Sequence, residues 1–389
     1  MLALLMTGCG GESGSSLSRE IQFLIPEKTI ADCSAFGESD FYRPRSTQLL
    51  ISAEEDWQNL IQTAPEDTEI LLQDGIYELT AHTVQLKNNI TVRSASGNRD
   101  AVHIKGVGYH IPAEGLSVTG DDVSIADISV SDMRDHAIAI MGGNDRTHIY
   151  NVNLYDIGTQ HIKGNVGGIN NGLIACSSIG YSDGGAVGDY NGGIDLHQSH
   201  GWQVAHNYLY NITGDGSGCL VDTQCGSFIS GPAILVWNES SNVAIYDNTI
   251  VDSFRNISLG LGRGFVGGIV SRNLIEQSQP GDAGIELQSA ADVLVEDNTV
   301  ILGDGVYPGA IEYRQSSRIV VRNNQLTATP WDRGDNDAIS VYDNTVVSLD
   351  YLLSVKALFS HTLTKHFIAC QIYCHGTGLP GCLRVCQRV

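Results

Sequence analysis

Residues able to move a proton collect in one stretch of the chain. Gly193-Ile194-Asp195-Leu196-His197 sets a carboxylate and an imidazole two positions apart. On an extended strand that spacing turns both to one face. Lys163 in His161-Ile162-Lys163-Gly164-Asn165, the phenol of Tyr190 and the guanidinium of Arg263 complete a set with a base candidate, an acid, a phenol and cations. Such a set suits general acid–base chemistry beside an anionic group. A second set is also carboxylate-rich. Ile285-Glu286-Leu287-Gln288 and Ile311-Glu312-Tyr313-Arg314 align with Ile194-Asp195-Leu196-His197 and with Leu235-Val236-Trp237-Asn238. Asp195, Glu286 and Glu312 then share one outward column. His197, Asn238, Gln288, Arg314 and Arg263 share another about two residues along. Asn165, His200, Trp237, Asn238, Glu286, Gln288, Glu312 and Arg314 are the candidates for holding a substrate along that face.

The columns follow from an internal repeat. Strand-like segments carry an Asn at 248, 273, 298, 324 and 344, and the same slot holds Asn207, Ser177, Val152 and Ile128 upstream. A step near 25 residues, with alternation inside each unit, is too short for a βα unit and fits one turn of a parallel β-solenoid whose strands stack about 4.8 Å apart. An Asn at a bend in every coil can bond its equivalents above and below. Two coils are enlarged, and their extra residues, 178–193 and 211–231, fall just before Ile194 and Ile234. They wall one face of the stack and carry Tyr181, Asp183, Asp189, Tyr190, Asp215 and Asp222 toward it. Upstream, Ser52 to Ile61 has a capping-box start and helical spacing.

From the segment Ser52–Ile61 through Asn89-Ile90-Thr91-Val92-Arg93, the succession resembles the opening of right-handed parallel β-helix proteins of the pectin-lyase type. That resemblance, over roughly residues 46–350, implies an all-β, single-stranded right-handed parallel β-helix with a short N-terminal capping helix. Gly193-Ile194-Asp195-Leu196-His197 is similar to the Tyr-Gly-aromatic/Ile-Asp-Pro-His motif of mannuronan C5-epimerases, with Leu196 in place of Pro and Gly192 in place of Tyr. Carried over, the resemblance assigns Asp195, His197 and Lys163 to an active site, with Tyr190 as the stand-in phenol. It implies action on a uronic-acid polymer by C5 proton abstraction, as lyase or epimerase. His197 or Lys163 is then the base, Lys163 or Arg263 the carboxylate clamp, and Tyr190 or Tyr181 the acid. Carboxylates at Asp195, Asp189 or Asp222 would suit Ca²⁺. Two alternatives stand beside it: a glycoside hydrolase using Glu286, Glu312 or Asp195, since adjacent coils set carboxylates near a retaining separation, and a non-catalytic glycan-binding surface protein.

Composition bounds the rest. The 389 residues carry 22 Lys+Arg against 44 Asp+Glu, a net charge of −22, which excludes a phosphate-neutralising nucleic-acid binder. An acidic polysaccharide is the expected partner and a monomer the expected state. Leu2 to Met6 followed by Thr7-Gly8-Cys9 and a Gly/Ser linker resembles the end of a bacterial lipoprotein signal, which implies an extracytoplasmic protein touching a membrane only through a lipid anchor. The expected division is 1–20 signal and linker, 21–45 N-terminal extension, 46–350 β-helix and 351–389 tail. The tail has no acidic residue and holds Cys370, Cys374, Cys382 and Cys386, marking it as appended or frame-shifted. Cys219 and Cys225 could close a small loop, while Cys33 and Cys176 have no evident local partner.

Overall fold

A computed structural model describes residues 33, 45–80, 83–182, 191–213, 231–277, 281–303 and 309–347. Every strand pairing in it is parallel, in one system of 22 strands and a second of 11. Each turn of the chain lays a strand directly on the corresponding strand of the turn before. Gln160–Gly164 is followed by Gly192–His197, Pro232–Trp237, Arg255–Ser271, Ile285–Glu296 and Ile311–Arg314. The chain is therefore the expected all-β parallel β-helix, and its right-handed sense follows the common preference of parallel crossovers.

The core is a continuous column of aliphatic side chains. Ile162, Ile194, Ile234, Ile257, Ile285 and Ile311 stack in register and are fully buried. Each contributes about 1.5–3 kcal/mol relative to exposure, and their neighbours at odd offsets are thereby turned outward.

The Asn slot is an internal ladder. The Nδ2 of Asn207 donates to Oδ1 of Asn248 at 3.0 Å, and the same bond repeats from Asn248 to Asn273, Asn273 to Asn298, Asn298 to Asn324 and Asn324 to Asn344. Each Oδ1 also accepts the backbone N–H of the Asn one coil earlier. Ser177 sits in the same column, donating its backbone N–H to Asn207. The residue before each ladder position has positive φ, as in Asp247, Arg272, Asp297, Asn323 and Asp343. A left-handed residue turns the chain sharply there, so what reads as one strand in the sequence is two.

At the N-terminal end a short helix, Trp57–Thr63, covers the stack with Trp57 and Ile61 buried. The helix begins one turn later than the capping-box start expected at Ser52. Ser52 N–H donates to Glu55 Oε2 at 2.7 Å, and Asp56, without a side-chain capping bond, begins the helix itself. Cys33 and Cys176 form a disulfide across 143 residues, which no local spacing could announce. Among the described residues no helix is long and apolar enough to cross a membrane.

Candidate active site

The register sets Lys163 directly on Asp195, with Gly164 on Leu196. Lys163 Nζ lies 2.5 Å from Asp195 Oδ2 and 2.7 Å from His197 Nε2. His197 Nε2 is 3.3 Å from Asp195 Oδ1. Asp195 is 2 % exposed and His197 9 %, so this is a nearly desolvated carboxylate, imidazole and amine in mutual contact. Burial pushes the Asp195 carboxyl up, but the neighbouring His197 and Lys163 outweigh it and hold the group below the ordinary carboxylate range.

Trp237 occupies the next coil, paired with His197. Its indole N–H lies 2.9 Å from Asp195 Oδ1 and 3.1 Å from His197 Nε2, and the two rings stand 4.7 Å apart. The alignment of Asn238 with His197 is thus corrected by one position. Ile234-Leu235-Val236-Trp237 is the true counterpart of Ile194-Asp195-Leu196-His197. Asn238 reaches the site otherwise: φ is +54°, and its side-chain amide lies 2.7 Å from His197 Nδ1. Both residues therefore hold the imidazole from the next coil.

The longer column is confirmed in part. Asp195, Leu235, Ser258, Glu286 and Glu312 follow one another, as do His197, Trp237, Gly260, Gln288 and Arg314. Gly260, not Arg263, continues the second. Arg263 is exposed in an irregularity between Gly260 and Phe265, where the register shifts, and is not brought to the Lys163 cluster. Glu286 accepts from Arg314 at 2.7 Å and from Ser258 at 3.1 Å, while Arg314 also bonds Gln288. Glu312 pairs with Arg333 at 3.0 Å. Each carboxylate is thus paired with its own guanidinium, Glu286 with Arg314 and Glu312 with Arg333.

Other expectations scatter. Tyr181 points into the core, 1 % exposed, its hydroxyl donating to Ile157 O at 2.7 Å, and burial drives its pKa far above the ordinary value. It is no acid for the outer face. His200 bonds Ser241 Oγ at 2.8 Å beyond the cluster, and Asn165 reaches Met141 Sδ. Tyr190, Asp183, Asp189, Asp215 and Asp222, with Cys219, Cys225 and the four cysteines of the tail, lie outside the described residues. Among the described residues no three His, Cys, Asp or Glu side chains converge to hold a metal. Asp195, with both oxygens facing donors, does not fit a Ca²⁺ ligand.

Two features escaped the sequence. His136, one coil before Lys163, bonds Thr159 Oγ1 at 2.9 Å; burial lowers its pKa, and the charges of Lys163 and Asp195 both act on it. The bases of the enlarged loops are pinned. Buried His161 contacts Gly180 O and Gly192 O, bracketing the first insertion, and Asn191 bonds Thr213 O and the N–H of Gly231, bracketing the second.

No protein-family model matches this sequence, and no curated protein matches it. Among solved structures the chain is similar to an alginate lyase from Paenibacillus sp. str. FPU-7, with a TM-score of 0.52 at 13 % identity over 76 % of this chain and 99 % of that one. Pectate lyase Pel9A superposes with a TM-score of 0.46 at 11 % identity over 82 % of each chain. The A-module of mannuronan C-5 epimerase AlgE4 from Azotobacter vinelandii gives 0.35 at 13 % identity over 72 % of this chain and 87 % of that. The likeness to the alginate lyase bears out the pectin-lyase-type β-helix.

Proposed function

We propose that the chain acts outside the cytoplasm on a polysaccharide containing uronic acid, removing the C5 proton as a lyase or C5-epimerase. The contact of Lys163, Asp195 and His197 on one face carries this reading. The alginate lyase with the similar fold supports it. In the reaction a nitrogen of the Lys163–His197 pair takes the C5 proton. The bonding electrons move onto the C6 carboxylate, whose added charge needs a nearby cation. Their return expels the C4 oxygen, which takes a proton from the protonated Lys163–His197 pair or from water, to give a C4=C5 double bond. Reprotonation of C5 from the opposite face instead gives the epimer. The ion pairing of Glu286 and Glu312 speaks against a two-carboxylate hydrolysis. The Cys33–Cys176 disulfide suits an oxidising compartment and an extracytoplasmic, lipid-anchored protein. Asp189 and Asp222 remain the candidates for Ca²⁺, and no step here depends on it.

The test is incubation of the full chain with alginate, pectate and glycosaminoglycans. Ultraviolet absorbance reads the unsaturated product, and proton NMR of the polymer reads epimerisation. Lys163→Ala and His197→Ala each remove the product signal by at least about 100-fold if they carry proton transfer. Activity that survives both substitutions overturns the assignment.

A further inference from the structure

The geometry points to Asn238 as a positioning residue that keeps the proton of His197 on Nδ1, so that Nε2 faces Lys163 as an acceptor and the two nitrogens share a single proton. Proton counting leads there. Lys163 Nζ and His197 Nε2 are 2.7 Å apart, and at that separation only one hydrogen fits between them. A protonated imidazole facing an ammonium would set two donors against each other, so the pair holds one proton in that gap. Asp195, 2.5 Å from Nζ and almost wholly buried, decides where it rests. A desolvated carboxylate is best compensated by a full ammonium, so Lys163 carries the proton and Nε2 offers its lone pair. The indole N–H of Trp237, 2.9 Å from Asp195 Oδ1 and 3.1 Å from Nε2, adds a donor on the same side and no acceptor.

With Nε2 unprotonated, a neutral imidazole bears its hydrogen on Nδ1. That hydrogen faces the Asn238 side-chain amide at 2.7 Å. The nearer amide atom is placed as Nδ2, but a half-turn of the amide group exchanges it with Oδ1 at no cost in shape. Only Oδ1 accepts, so the carbonyl end faces the ring. The left-handed backbone at Asn238, which Asn tolerates better than most residues, sets the side chain there. Asn238 also supports the other position of the shared proton. When it passes from Nζ to Nε2, the imidazolium donates from Nδ1 to Asn238 and from Nε2 toward Asp195, and the net charge of the buried group is unchanged. Lys163 is then a neutral amine. This last consequence rests on the proton-abstraction reading above, whereas the proton placement does not.

The experiment uses the full chain labelled with ¹⁵N-histidine. The His197 ring signals are identified by their loss in His197→Gln. Long-range nitrogen–proton correlation at neutral pH is expected to show a protonated Nδ1 and an unprotonated Nε2. Asn238→Asp, which keeps an acceptor, is expected to retain that pattern, and Asn238→Ala to move it toward a protonated Nε2. A protonated Nε2 in the unsubstituted protein overturns the inference. So does an unchanged pattern in Asn238→Ala. Product formation on the same samples separates the two claims. Activity with the wrong tautomer sinks this inference alone, and the expected tautomer with no activity on any polymer sinks only the lyase or epimerase reading.

Discussion

At the scale of single residues, the Lys163–Asp195 contact was readable because two strands of ordinary alternation fixed its phase, needing only a turn two residues longer. Trp237 was placed a position out for a physical reason. Ala233-Ile234-Leu235-Val236 is an unbroken apolar run, and with both faces covered no alternation reveals which side chains point outward. The consequence for stability can be measured. Lys163→Met leaves Asp195 buried without its cation and is expected to cost about 3–5 kcal/mol in chemical denaturation. Adding Asp195→Asn should restore a good part of that loss, because the remaining amide needs only hydrogen bonds, and Trp237 supplies one. A double-mutant cycle whose interaction energy is near zero would show that the two side chains do not act as a pair.

At the scale of the element, the Asn slot was the most legible feature, since a ladder of identical side chains demands a constant step. Its partners were not legible. Asn273 uses both ends of its amide: Oδ1 accepts from Asn248, and Nδ2 donates to Asn298 and to two carbonyls, those of Ile245 and Ser271. Asn344 closes the ladder in a more open position, accepting from Asn324 and donating to Val321 and Tyr342. Removing a buried group that satisfies several others leaves them desolvated and unbonded. Asn273→Ala is therefore expected to destabilise the protein by about 3 kcal/mol or more, and Asn344→Ala by about 1 kcal/mol, where water can replace the lost bonds. Equal losses in thermal unfolding would mean that the ladder contributes little beyond its two neighbours. The clamps at His161 and Asn191 escaped notice because each joins backbone groups brought together only when the coils are stacked.

At the scale of the whole molecule, the proposed substrate and the charge of the protein are in tension. A chain of net charge −22 repels a polyanion at a distance, and the cation nearest the site, Lys163, is already set against Asp195. On net charge alone, a polyanion must approach against the field. The salt dependence is consequently expected to have the opposite sign to that of a basic protein. Raising NaCl from about 10 mM to about 150 mM shrinks the screening length from roughly 30 to 8 Å, so kcat/KM on a uronate polymer should rise several-fold, mainly through KM. CaCl₂ at matched ionic strength distinguishes screening from a held ion. A gain beyond that of NaCl means a specifically held Ca²⁺, on the polymer carboxylates or at a site such as Asp189 or Asp222 would form, whereas an equal gain is screening alone. A fall in kcat/KM with salt would instead show that local positive charge dominates the encounter, and would shift attention to Arg263, the exposed cation in the register irregularity between Gly260 and Phe265.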